Sequence, residues 1–221
     1  MASEVDICNL ALAHLGDEAV VAAISPPDGS AQAAHCARFY PIARDAVLEA
    51  HNWRFALRRA ALAVVSTTEL PDEWAYAYAY PNCLKFIAVF PPTVLVAANQ
   101  GAIFDQSEFV ARGKPAQFVI EGLADGSQVI YTNMEDATGY YTVSVPDTTK
   151  FSPLCVLAIS RLLASMLAGA IIKGEAGMKV ARAQLEWYEK IDSPRAKTSD
   201  ASASRNTSYN DFIPSGVAAR L

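Results

Sequence analysis

Three histidines (His14, His35 and His51) and four cysteines (Cys8, Cys36, Cys83 and Cys155) are the side chains here best suited to metal or nucleophilic chemistry. None lies in an HExxH run, no two cysteines form CxxC, and no Cys/His cluster has zinc spacing, so no metal centre is expected. Scattered thiols in a chain of this size point to reduced, mostly buried cysteines rather than a disulfide framework. The chain also lacks GxSxG, a P-loop and GxGxxG, and no cofactor is expected. The carboxylate pairs Asp45/Glu49 and Glu186/Glu189 stand at helical spacing. Two carboxyl groups facing across a cleft could hydrolyse a glycosidic bond, which keeps a carbohydrate or peptidoglycan hydrolase as the rival reading. Among 23 acidic residues such pairs arise easily, and solvated helix faces are the simpler reading.

The run Trp74-Ala-Tyr76-Ala-Tyr78-Ala-Tyr80 alternates strictly, which would put four rings on one face of an extended strand. Such a ladder could stack single-stranded nucleic acid or sugars. That function wants a basic groove, yet no Lys or Arg occurs from Ala60 to Leu84. Packing of a β region is the reading preferred.

Charge narrows the classes further. The net charge is −5, and the segment from Arg195 to Leu221 contributes +2, leaving −7 on residues 1–194. An acidic body disfavours tight, static nucleic-acid binding. It suits a surface that DNA slides past. The N-terminal stretch carries Glu4 and Asp6 without a basic region, so it makes a poor signal peptide. Pro153 to Ile172 is long enough to span a bilayer, but Arg161 sits near its middle. A central Arg costs about 2.5–3.5 kcal/mol on insertion scales, so a helix buried in protein is expected, with no membrane partner.

Ser3 caps a first helix that Gly16 stops. Asp28 or Ser30 caps a second, running to about Ala50, with Pro41 kinking it or dividing it in two. Strands are expected at Leu84–Phe90, Ala116–Glu121, Gln128–Thr132 and Tyr140–Val145, with Asp125-Gly126 turning a hairpin. Ser152 and Pro153 open a third, nearly all-apolar helix. Gly174 and Gly177 separate it from a fourth, Met178 to Ile191, with an apolar stripe of Met178, Ala181, Leu185 and Tyr188. Ser193-Pro194 is expected to end that helix. The resulting fold is α+β: terminal helices, residues 1–52 and 151–194, packed as a four-helix bundle, a small antiparallel β domain inserted at 53–150, and an extended arm at 195–221. The arm is polar with the anchors Tyr209, Phe212, Ile213 and Val217.

Several of these pieces form an ordered series. Asn9-x-Ala11-Leu12-x-x-x-Gly16 opens the chain, followed by Asp28-x-Ser30-x-x-Ala33. Tyr40, Arg44-Asp45-x-x-Leu48 and Trp53-x-Phe55-Ala56 come next, then Trp74-x-Tyr76-x-Tyr78-x-x-Pro81, and finally Thr149-x-Phe151-Ser152-Pro153. The series, over about residues 5–190, resembles the tail tubular protein A family, the head-to-tail adaptors (connectors) of tailed bacteriophages. The resemblance implies a structural virion protein of the tail neck, assembled in the host cytoplasm, with no catalytic residues. It implies a ring, a dodecamer in that family, between the portal protein and the tail nozzle or tail tube. DNA would pass through the lumen on ejection without specific binding. The rival reading then becomes a virion-associated hydrolase. A C-terminal extension that embraces the portal would place Arg205, Tyr209, Phe212, Ile213 and Val217 at the portal contact. If extended, the 27 residues from Arg195 reach about 90 Å at ~3.3 Å per residue. The apolar third helix would offer surface to neighbouring copies.

Overall fold

The structure, a computed structural model, describes residues 2–18, 20–66, 70–92 and 115–203. The chain is mixed α+β and divides into two compact units, a helical one (residues up to 47, 53–55 and from 146) and a β one (48–52 and 56–145).

The helical unit begins with α1, Glu4–His14. The Ser3 hydroxyl accepts from the Asp6 amide at 3.1 Å and the Asp6 carboxylate accepts from the Ser3 amide at 2.8 Å, a closed capping box. Ile7, Cys8, Ala11 and Leu12 form its buried face. α2 spans Ala31–Glu49. Ser30 is its cap, accepting from the Ala33 amide at 3.1 Å, while Asp28 accepts from the Ser30 amide at 2.9 Å and holds the preceding turn. Pro41 lies inside α2, which remains one helix. Buried Tyr40 and Ala43 flank the proline, so packing outweighs the lost backbone bond. α3, Pro153–Ile171, opens as expected, the Ser152 hydroxyl accepting from the Cys155 amide at 3.2 Å.

The last part departs from expectation. α4 is Gly174–Trp187, starting four residues before Met178. The chain reverses on Lys173 (φ 57°) and Gly174 (φ 60°), so Gly177 is free to sit inside the helix. A Cβ at Gly177 would stand 3.0 Å from the Ala168 carbonyl oxygen; this glycine lets α3 and α4 approach rather than breaking the helix. The stripe assigned to α4 also shifts: Gly177 and Tyr188 are buried, whereas Met178 and Leu185 point outward.

Ser193-Pro194 does not end the helical region. Tyr188–Asp192 winds as a π-turn, with the Ser193 amide bonded to the Tyr188 carbonyl, and α5 follows at Ser193–Ala203. Pro194 falls in the first turn of α5, where its missing amide is harmless, and the wide turn ahead of it accommodates the ring. The assignment of 195–203 to the arm is therefore corrected: these residues are helical, and Ala196 is fully buried.

The β unit contains β1 Leu57–Ala61, β2 Tyr76–Ala79, β3 Lys85–Phe90, β4 Phe118–Gly122, β5 Gln128–Thr132 and β6 Thr138–Thr142. β1 was not expected, because Leu-Arg-Arg-Ala-Ala has neither alternation nor β-branched residues. The strands pair antiparallel in two sheets, ordered β1-β6-β3 and β2-β5-β4. Single bridges join them twice: Val89, on β3, with Ala116, just before β4, and Val64, just after β1, with Tyr78 on β2. The six strands are thus linked in one antiparallel cycle whose two seams each rest on a single bridge. Tyr78, Phe86, Val89, Ile130 and Ala137 are its core, flanked by Tyr76, Tyr80, Phe118 and Tyr141.

Candidate functional site

The side chains singled out for chemistry occupy ordinary structural positions. Asp45 is paired with the Nε of Arg44 at 2.8 Å, and Glu186 accepts from Lys190 at 2.7 Å. Among the described residues no group of three or more His, Cys, Asp or Glu side chains could hold a metal. All four cysteines are free thiols; Cys8, Cys36 and Cys155 are buried and Cys83 is half-buried. Burial pushes the Cys155 thiol up to about 12, so it stays protonated at neutral pH.

In the aromatic run, Tyr78 is fully buried, its hydroxyl donating to the Met134 carbonyl at 2.8 Å, and Tyr76 and Tyr80 pack beside it. Trp74, ahead of β2, joins a separate cluster with Ala77, Val129 and Tyr131. Tyr76, Tyr78 and Tyr80 share the core face, as the alternation predicts, and serve as packing groups; Trp74 departs from that face.

Arg161 organises a polar knot inside the helical unit. Its Nη1 donates to Gln184 Oε1 at 2.8 Å, and its guanidinium lies over Trp187, 5.3 Å from the ring centroid. Its Nε is 3.3 Å from Asp192 Oδ2, an ion pair held by charge because neither atom has hydrogen-bond alignment. Gln184 donates to the His14 carbonyl at 3.0 Å, and His14 Nε2 lies 3.2 Å from the buried Ser160 hydroxyl. The π-turn delivers Asp192 to this knot. Burial, then the Arg161 charge, lower the His14 pKa to about 4, so the imidazole is neutral at physiological pH. Ser160 is fully buried and donates to the Leu157 carbonyl at 2.9 Å, which leaves its oxygen to accept from the Nε2–H of the neutral His14 ring. Arg161 was visible in sequence as a charge in an apolar helix; Asp192 and Gln184, remote along the chain, gave no signal.

Exposed charge is uneven. Among the described residues the helical unit has eleven Lys and Arg against twelve acids, and the β unit three against seven. In the β unit, Asp72 and Glu73 precede β2, and Glu135 and Asp136 occupy the β5–β6 turn. Asn133 ties the two segments, accepting from the Ala75 amide at 2.8 Å and donating to the Glu73 carbonyl at 3.3 Å. All four acids are exposed.

The three cations are Arg58, Arg59 and Lys85, all on the sheet β1-β6-β3. Arg59 faces Tyr140 directly across the β1–β6 pairing. Its guanidinium lies 4.9 Å from the Tyr140 ring centroid and 5.5 Å from that of Phe90. Lys85 pairs with Thr142, two residues along β6, which places it on the face that carries Arg59. Sequence reasoning missed this surface because β1 itself was not recognised.

The portal-contact residues Arg205, Tyr209, Phe212, Ile213 and Val217 lie outside the described residues. No protein-family model matches the chain, and no curated protein matches it in sequence.

Proposed function

We propose that this chain is a structural virion protein, a head-to-tail adaptor that forms a ring, a dodecamer by family resemblance, between the portal and the tail nozzle or tube. The reading rests on the ordered motif series. Its most recognisable residues do fold work. Asn9 clamps the following loop, donating to the Val21 carbonyl at 3.0 Å and accepting from the Val21 amide at 2.8 Å. Asp28 and Ser30 build the entry to α2, Trp53 donates to the Val47 carbonyl at 2.8 Å, and Ser152 caps α3. Asp45 and Glu186, one member of each carboxylate pair, are ion-paired with Arg44 and Lys190, as on an ordinary helix surface.

In this proposal the terminal helices pack as a bundle and the segment beyond α5 is the arm that reaches the portal. α3 contributes less to neighbouring copies than its composition suggested, because nine of its residues are buried within this chain. The acidic β unit suits a wall past which DNA moves without adhering.

Truncation after Ala203 tests the arm. Because α5 stays intact, the shortened protein should keep its far-UV spectrum and thermal midpoint. It should no longer co-sediment with portal rings. Co-sedimentation equal to the full chain would remove the arm from the mechanism.

A further inference from the structure

We propose that Arg59, seated over Tyr140 and Phe90 and supported by Lys85, is a docking face for the acidic loops of a second copy of this chain, those bearing Asp72, Glu73, Glu135 and Asp136. The proposal rests on the ring reading and gives that ring a specific contact.

Two sets of charge that lack an ion-pair partner among the described residues motivate it. Among the described residues, Arg59 has aromatic partners but no carboxylate, and Lys85 has no anionic partner. None of Asp72, Glu73, Glu135 and Asp136 has a cationic partner either, although the pairs Lys179–Glu175 and Lys190–Glu186 form readily on the helical unit. The two sets lie on different strands and turns of one unit, so copies can meet through unlike patches. A contact between unlike patches is heterologous, the type that closes rings.

The geometry at Arg59 favours a carboxylate. A guanidinium resting on aromatic rings keeps its N–H edge open to a bidentate acceptor. The rings also restrain the long side chain beforehand, which reduces the ordering loss on docking. Nucleic acid is the less favoured occupant, because the acidic loops of the same unit would repel a phosphate backbone.

Charge reversal tests the pairing. Full-length Arg59→Glu and a Glu135→Lys, Asp136→Lys double variant would be prepared, with matching circular dichroism and thermal midpoints required of both. Assembly would be followed by sedimentation velocity, alone and on portal rings. Each variant by itself should assemble at least about tenfold more weakly than wild type, since position 59 then meets like charge at positions 135 and 136 in every contact. An equimolar mixture should recover assembly, because alternating copies restore an opposite-charge pair at every contact. Undiminished assembly of either variant, or no recovery on mixing, would overturn the proposal and leave the adaptor reading standing. Failure of wild type to assemble even on portal rings would instead sink the adaptor reading, and this contact with it. Salt-sensitive retention of a duplex or single-stranded oligonucleotide that Arg59→Glu abolishes, with assembly intact, would reassign the face to nucleic acid.

Discussion

His14 gives the knot around Arg161 a measurable signature. Its folded pKa of about 4 lies below the ordinary value of 6.5, so the native state binds fewer protons than the unfolded chain between those pH values. The stabilisation is complete above pH 6.5 and is lost as pH falls towards 4. The side chain is only about half buried, so the loss should be about 1 kcal/mol after discounting solvent screening. Urea midpoints of wild type and His14→Gln at pH 7.5 and pH 4.5 would measure it. Wild type should lose more stability on acidification than the variant; equal losses would show that His14 does not titrate in this window. At the residue scale, short-range chemistry was legible: Ser3, Ser30 and Ser152 all cap where their types and followers suggest. Long-range partners were not. Nothing local marks Asp192 as the counter-charge of Arg161, because their approach depends on how α3 and the π-turn pack.

The α3–α4 hairpin is the element most sensitive to one atom group. Gly177→Leu would drive a side chain against the Ala168 carbonyl oxygen, which belongs to the helix backbone and cannot swing aside. Overpacking of this kind costs about 1–3 kcal/mol, more than the roughly 1 kcal/mol that leaving glycine gains in helix propensity. A lower thermal midpoint is expected, whereas an unchanged or higher one would mean that the hairpin is not closely packed at Gly177. The same glycine explains one misplaced boundary. Sequence alone cannot separate a glycine that ends a helix from one that admits a neighbour. Pro194 misled for a related reason, since a proline after Ser can stop one helix or begin the next. β4, β5 and β6 were legible through their β-branched and aromatic residues, although β6 starts at Thr138 and ends at Thr142 rather than running Tyr140–Val145. β1 was hidden, because Arg58 and Arg59 gain their places from Tyr140 and the sheet partner β6.

For the whole molecule, α+β character followed from the change of residue pattern along the chain, apolar helical periodicity at both ends and alternation between. The closure of two three-stranded sheets into one cycle did not, since it depends on single bridges at Val64 and Val89. The concentration of acid on the β unit also emerged only once the folded units were known. The adaptor proposal would use that asymmetry, because an acidic β unit repels a phosphate backbone. The most direct measurement is the mass of the protein bound to purified portal rings, by native mass spectrometry or sedimentation. The account predicts a stoichiometric complex that gains close to twelve subunits of 23.7 kDa. A protein that remains a 23.7 kDa monomer beside unaltered portal rings would contradict it.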